Sequence, residues 1–340
     1  MKLQERIDVL VQLGDHLRGE DEYLQAVIKR TAYNNAWFTE ENQQQAIDAI
    51  AEHYLRREQL DKWLAPYEIP DGNELQNIGM ILAGNIPLVG FHDLLCVFIA
   101  GHRALIKPSE KDPYLLPYLL KLMERFDERS AHYFRLVDRL RDYDAVIATG
   151  SGNSARYFES YFGKVPNIIR RNRNGIAVLT GQESPESLHE LGKDIFSYFG
   201  LGCRNVSKIY VPRSYDFQPL LEALHEYCHI VRHRKYKNNF DYNFAVHVLN
   251  KAEFMSNGCV VLTENPSIHS RLGELYYEYY PDLVEMQRVI ENRQSEIQCV
   301  VAAPSILPVK TFPFGKAQEP ELWDYADGVD TMAFLLGLTG

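Results

Sequence analysis

Between Met1 and about Leu64, apolar residues recur every three or four positions among charged ones, as at Ile7, Leu10, Val11 and Leu17, and no proline interrupts them. That spacing predicts an amphipathic helical region. From Ile78 the pattern changes to short apolar runs separated by helix-like segments: Ile78 to Ala83, Ala104 to Lys107, Ala145 to Thr149, Asn167 to Arg170, and Ile176 to Leu179. Such alternation is the mark of parallel strands joined by helical crossovers. Asp112-Pro113 and Ser184-Pro185-Glu186 each set a capping side chain before a proline and predict helix starts. A second set of strand candidates follows: Lys208 to Val211, Phe244 to Leu249, Val260 to Thr263 and Cys299 to Ala302. The tail from Gly315 is acidic and aromatic and ends in an apolar run, Met332 to Leu338, that predicts a docking helix.

Size and composition sharpen this picture. A chain of 340 residues exceeds what one hydrophobic core usually organises, so two α/β domains are expected, with the boundary just before Cys203, near Phe199-Gly200. The longest apolar stretch, Ile78 to Gly101, is broken by Asn85, Pro87, His92 and Asp93, which argues against a membrane span. Met1 to Asp21 carry charges every few positions and lack the apolar core of a secretion signal. Five cysteines, an odd number at irregular spacing, argue against a disulfide framework and for a reduced, cytoplasmic setting.

The formal net charge of −10 argues against nucleic acid as a partner, because phosphate-backbone binding relies on clustered Lys and Arg. Two local basic runs, Arg170-Arg171-Asn172-Arg173 and Arg232 to Lys237, read first as solvated surface and second as a seat for a phosphorylated small molecule. His225, Cys228, His229 and His233 fall at helical spacing, but Arg and Lys surround them, so no metal site is assigned and a solvated helix face is the expectation. Tyr276, Tyr277, Tyr279 and Tyr280 are read as packing at helical spacing.

Four segments carry candidate chemistry. In Gly200-Leu201-Gly202-Cys203-Arg204-Asn205 a cysteine lies among small and polar residues, unlike the usual buried thiol. Small neighbours suit close approach to a ligand, and Arg204 favours a thiolate if its side chain turns that way. The other four cysteines are expected to be small buried hydrophobes. Gly84-Asn85-Ile86-Pro87 follows a strand candidate, so Asn85 stands at a carboxyl edge where its amide can donate to an oxyanion. Lys107-Pro108-Ser109-Glu110 ends the next strand, and a Lys with an acid can hydrogen-bond ribose hydroxyls. Thr149-Gly150-Ser151-Gly152 runs from a strand into a helix, and small residues there expose amides to a pyrophosphate.

In order and spacing these segments resemble the aldehyde dehydrogenase superfamily, in particular its acyl-CoA reductase branch, the fatty acid reductases that supply aldehyde to bacterial luciferase. The resemblance is clearest from about Ile78 to Val211. It implies two doubly wound α/β domains with the active site at their interface: residues 1–199 as a helical region plus dinucleotide-binding domain, completed by 312–340, and residues 200–311 as the catalytic cysteine domain. It implies Cys203 as nucleophile, Asn85 in the oxyanion hole, Lys107 with Glu110 at the adenosine ribose and Ser151 beside the pyrophosphate, with Ser109, Thr149 and Gly150 as further cofactor-binding residues. NADPH or NADH is the implied cofactor. The resemblance favours NADPH, whereas Glu110 would repel a 2′-phosphate and favours NADH.

Two departures set a direction. The superfamily carries a Glu-Leu-Gly-Gly segment whose Glu activates water, and the corresponding stretch here, about Ile169 to Gly175, has no carboxylate; Leu201 also replaces the Gln usually found between the Gly and the Cys. Without a base, hydrolysis of an acyl-enzyme is suppressed while its reduction is not. The expected reaction is therefore reduction of an acyl thioester to an aldehyde, with acyl-CoA, an acylated carrier or a partner enzyme as acyl donor. His247 and the tyrosines near Tyr276 are available for proton transfer, but no spacing selects them. A homo-oligomer is compatible with the pattern. The competing readings are an acyl-accepting transferase and a non-catalytic subunit that keeps the fold.

Overall fold

The structure, a computed structural model, describes residues 1–72, 74–150 and 152–339. The chain divides into two compact units, Met1–Asn172 with Pro320–Gly340, and Arg173–Glu319.

In the first unit four helices, α1 (Leu3–Leu17), α2 (Glu22–Asn34), α3 (Glu40–His53) and α4 (Arg57–Leu64), form the expected helical region. Asp21 and Thr39 cap α2 and α3 by accepting from Tyr23 N and Asn42 N. The apolar stripe of α1, with Ile7, Val9, Leu10, Leu13 and Leu17 buried, packs into the same core as the sheet that follows. That sheet is built from β1 (Asn77–Ile81), α5 (Phe91–Ala100), β2 (Arg103–Lys107), α6 (Leu115–Phe126), β3 (Phe134–Leu136), β4 (Ala145–Thr149), α7 (Gly152–Phe162) and β5 (Asn167–Arg170). Its strand order is β3-β2-β1-β4-β5, all parallel.

Helix α5 is buried along nearly its whole surface, as a helix with elements on more than one side must be. Its C-terminal carbonyl at Ile99 accepts from Arg6 Nη2 at 3.0 Å, a cation placed where the helix dipole is negative. The final helix, Thr331–Leu336, packs on α5 and completes this unit.

The second unit contains β6 (Asn174–Val178), α8 (Pro185–Phe196), β7 (Val206–Pro212), α9 (Gln218–His225), α10 (Arg234–Leu249), β8 (Met255–Ser256), β9 (Val261–Glu264), β10 (Glu274–Tyr280), α11 (Leu283–Asn292) and β11 (Ile297–Ala302). The order is β11-β6-β7-β10-β9-β8, parallel except for the β8–β9 pair at one edge. Ser184 caps α8 by accepting from Ser187 N, with Pro185 in the first turn.

Several expectations need correction. The division falls after Asn172, not before Cys203, because β6 pairs with β7 and β11 and so carries α8 into the second unit. At the other end, the segment before Pro320 stays with that unit. Phe244 to Leu249 is not a strand but the end of α10, whose buried Tyr236, Phe240 and Asn243 recur at helical spacing; a six-residue apolar run does not by itself separate the two states. Conversely, Tyr276, Tyr277, Tyr279 and Tyr280 lie on strand β10, in keeping with the fit of aromatic side chains to a pleated surface. Helix α6 begins at Leu115, past the Asp112-Pro113 pair. Among the described residues, no helix is long and apolar enough to cross a membrane.

Candidate functional site

In the first unit the chain leaves β1 towards β2 and β3 on one side, then returns to lay β4 and β5 on the other. Such a reversal opens a crevice at the carboxyl ends of the strands flanking it, here β1 and β4. Register fixes what stands there: Ile81 pairs with Lys107 on β2 and with Ala148 on β4. The loops that begin at Leu82, Pro108 and Gly150 therefore rise side by side. Asn85 lies half-buried in the first loop, Lys107 and Glu110 are exposed at the second, and Thr149 ends the third strand. Ser151 lies outside the described residues.

Close packing explains the glycines and the serine. A Cβ on Gly84 would stand 2.1 Å from Ser109 Oγ and 2.6 Å from its Cβ, so only glycine lets the β1 and β2 loops touch. Ser109 Oγ also accepts from Lys111 N at 3.2 Å, so its visible work is to shape this turn. Gly150 is constrained in the same way by Ser154 and Phe158 of α7, at 2.8 and 2.7 Å from a Cβ built there. Asp112 crosses between the loops: one carboxylate oxygen accepts from Leu88 N at 3.2 Å, the other has no partner, and burial raises its pKa.

Cys203 belongs to the second unit, on the turn that enters β7. Three consecutive residues ahead of it are left-handed: Tyr198 (φ 52), Phe199 (φ 60) and Gly200 (φ 76). For the two non-glycine residues this costs on the order of 1–2 kcal/mol each, so other contacts must hold the turn. Asn205, 1% exposed, supplies them. Its amide donates to the carbonyls of Asp194 (3.0 Å) and Ser197 (2.9 Å), and its Oδ1 accepts from Gly202 N at 2.7 Å. The cysteine is half-buried and carried on a backbone pinned from both sides.

Two further groups fasten a strap, Gly315 to Ala317, against this turn. Asp194 is completely buried and accepts from Gly315 N at 2.6 Å and Ala317 N at 2.9 Å. Burial pushes its pKa up to about 7, against the pull of those two donors. Arg204 donates its Nε to Ala317 O at 2.5 Å and lies over the Phe312 ring at 4.5 Å, so its guanidinium is turned to the strap, with Nη2 buried and without a hydrogen-bond partner. Sequence reasoning passed over Asp194 and Asn205. An acid three residues after Leu191, on the apolar face of α8, is the signal that points to Asp194.

His247 Nε2 lies 3.0 Å from Glu274 Oε1, and the Glu274 side chain is buried. Burial, with the Glu274 carboxylate beside it, pushes the Tyr276 phenol up to about 12. Glu274 opens β10, and Tyr276 pairs with Lys208, each two residues into its strand. The dyad thus stands level with the start of β7, on the edge where the Cys203 turn enters.

The Arg170 to Arg173 run is not a uniformly solvated surface. Arg170 is buried in an ion pair with Asp93 and donates to Thr331 Oγ1 at 3.0 Å; Arg171 pairs with Glu159, and Arg173 donates to Gln294 O at 3.2 Å. Among the described residues no group of three His, Cys, Asp or Glu side chains is arranged to hold a metal ion. Cys96, Cys259 and Cys299 are buried as expected of structural thiols, but Cys228 is half-exposed and contacts His225.

No protein-family model and no curated protein sequence matches the chain. Solved structures match it in fold. Aldehyde dehydrogenase 21 from Physcomitrella patens, in complex with the reaction product succinate, aligns with 100% of this chain and 85% of its own at a TM-score of 0.70 and 12% identity. A NAD-dependent aldehyde dehydrogenase from Sinorhizobium meliloti aligns with 90% of this chain and 71% of its own, at 0.68 and 12%. The NAD+ complex of aldehyde dehydrogenase from Bacillus cereus aligns with 89% and 71%, at 0.65 and 15%. At such identities the likeness is one of architecture: this chain has the aldehyde dehydrogenase-like α/β fold.

Proposed function

Taking that fold as premise, we propose that the protein reduces an acyl thioester to an aldehyde with NADPH or NADH, holding the acyl group on Cys203. The observation that carries this reading is the half-buried Cys203 on a left-handed turn that Asn205 locks from both sides. A packing cysteine needs no such support.

The dinucleotide is assigned to the carboxyl edge of the first sheet. An ammonium (Lys107), a carboxylate (Glu110) and a hydroxyl (Thr149) stand at the ends of β2 and β4, on either side of β1, a donor and acceptor set suited to ribose hydroxyls and phosphate. When bound, the nicotinamide supplies the hydride. The solved aldehyde dehydrogenase from Bacillus cereus is an NAD+ complex, which supports a nicotinamide cofactor for this fold.

Cys203 as thiolate attacks the thioester carbonyl, a carbon–sulfur bond forms to the enzyme, and the carrier thiolate leaves. The backbone N–H of Cys203 and the amide of Asn85 are the proposed donors to the oxyanion. Reduction of the enzyme-bound acyl group gives a hemithioacetal on Cys203, whose collapse breaks the same carbon–sulfur bond, frees the aldehyde and restores the thiolate. His247, polarised by Glu274, is the proposed proton carrier at that edge. The stretch Ile169 to Gly175 offers no carboxylate to activate water, and its Arg170 is already paired with Asp93, so the acyl group is kept for reduction.

The test is consumption of reduced nicotinamide when the full chain meets long-chain acyl-CoA, with NADPH and NADH as separate arms. Turnover in either arm is expected, reduced at least about a thousandfold by Cys203→Ser. Acylation of the protein without any loss of reduced nicotinamide would make it an acyltransferase instead.

A further inference from the structure

Cys228 and Cys259 lie outside the chemistry described so far. Cys228 opens the 3-10 turn Cys228–Arg232 that follows α9, and Cys259 lies in the turn between β8 and β9. Asn257 brings the two sulfurs to one place: Cys228 Sγ donates to its carbonyl oxygen at 3.5 Å and Cys259 Sγ donates to its Oδ1 at 3.3 Å, and burial, with Cys228 beside it, holds the Cys259 thiol in its protonated form. Cys228 is half-exposed, whereas Cys259 is completely buried.

His225 distinguishes the two sulfurs. Its Nδ1 lies 2.8 Å from Asn257 O and 3.2 Å from Cys228 Sγ. A carbonyl oxygen can only accept, so Nδ1 carries the proton, and the same N–H faces the Cys228 sulfur. The pair therefore consists of an accessible sulfur with a donor beside it and a buried thiol behind it. The same edge also carries Cys203. Strands β7 and β10 start level, and Glu274 at the start of β10 pairs with Val261 at the start of β9. Cys203 precedes β7 and Cys259 precedes β9, strands separated by β10 alone.

A packed path joins them. Tyr236 donates its hydroxyl to Cys259 O at 2.9 Å, and Phe199, in the left-handed turn before Cys203, stacks on His233 with centroids 4.2 Å apart and flanks Tyr236 at 6.3 Å.

We propose that Cys228 and Cys259 form a redox-active dithiol that hydrogen peroxide converts to a disulfide, and that its state is transmitted through Tyr236 and Phe199 to the turn carrying Cys203. The Cys228 thiolate attacks one peroxide oxygen, forming a sulfur–oxygen bond and breaking the oxygen–oxygen bond, to give a sulfenic acid and hydroxide. The Cys259 sulfur then attacks the sulfenic sulfur; the sulfur–sulfur bond forms, the sulfur–oxygen bond breaks, and water leaves with the Cys259 proton. Two thiols are oxidised and one peroxide is reduced to two waters. A dithiol reductant reverses the step. None of this requires Cys203 to accept an acyl group.

The experiment treats the full chain with hydrogen peroxide, alkylates remaining thiols and maps the peptides by mass spectrometry. A Cys228–Cys259 linkage that dithiothreitol reverses is expected. In Cys259→Ser, Cys228 should be trapped as the sulfenic acid by dimedone. The rate of iodoacetamide labelling at Cys203 should change about fivefold or more on oxidation of the native chain and stay constant in Cys259→Ser. Absence of the linkage, or a linkage of either residue to Cys203 or Cys299 in its place, overturns the dithiol. Unchanged labelling of Cys203 in the oxidised native chain overturns its coupling to the turn.

Discussion

The carboxyl edge of the first sheet and the Cys203 turn of the second unit hold their groups in place by different means. At the first edge, Lys107, Glu110 and Thr149 stand where regular strands happen to end, and glycines at 84 and 150 only let neighbouring loops come close. At the second, a turn that would be unfavourable alone persists because Asn205, Asp194 and Arg204 tie it to α8 and to the Gly315–Ala317 strap. Under the proposed function the first edge would bind a large polar ligand, which tolerates small displacements, whereas Cys203 would act as a nucleophile, which must be held closely in position. Left-handed non-glycine backbone occurs at both, singly at Leu88 in the loop after β1 and twice in succession, at Tyr198 and Phe199, ahead of Cys203.

The largest expected effect comes from the buried acid on that network. The pKa of Asp194 is about 7 in the folded chain against an ordinary 3.8, so the folded state binds its proton more tightly than the unfolded one. Its contribution is most favourable below about pH 4, declines as pH rises towards 7 and is flat beyond. The full span is about 4 kcal/mol at most. Urea midpoints for the native chain should fall between pH 5 and pH 8, and Asp194→Asn should flatten that fall. Parallel profiles for the two proteins would show that another group sets the pH dependence.

Next is Asn205→Ala, which strands Gly202 N and two carbonyls in the interior. A loss of about 2–3 kcal/mol is expected in urea unfolding, together with a marked change in the alkylation rate of Cys203. A variant with native stability and native alkylation would mean that the turn needs no lock, and the contrast between the two regions would fail.

The smallest effect is expected at the first edge. Gly84→Ala forces Ser109 and its turn to shift, at a cost of about 1–2 kcal/mol, and should weaken nucleotide binding measured by titration calorimetry while leaving Cys203 alkylation unchanged. If alkylation changed as much as it does in Asn205→Ala, the two regions would have to be treated as one network.

The same contrast explains what could be read from the chain itself. The first edge is encoded locally: apolar runs end in Asn, Lys or Thr and are followed within a few residues by Pro or Gly, so the edge that carries Asn85, Lys107, Glu110 and Thr149 is visible before any fold is known. Ser109 shows how far that reading goes, since its position was expected but its packing on Gly84 was not. The Cys203 turn announces itself only through its small neighbours. Its supports act at a distance, with Asp194 bonding amides 121 and 123 residues away, and no local pattern records such a contact. The strand and helix errors arise in the same way: Phe244 to Leu249 and the tyrosines of β10 are short aromatic or apolar runs, and pairing partners decide their state. Cys228 looked like one more packing thiol because Cys259 and Asn257, which complete its surroundings, come from a distant turn.

Attachment of an acyl group to one sulfur is the claim on which the enzymatic account stands. Intact-protein mass spectrometry after mixing the full chain with a long-chain acyl-CoA, with reduced nicotinamide withheld, measures it directly. The native chain should gain the mass of one acyl group, and Cys203→Ser should gain none. An equal gain in Cys203→Ser, or no gain in the native chain with any acyl-CoA, would contradict it.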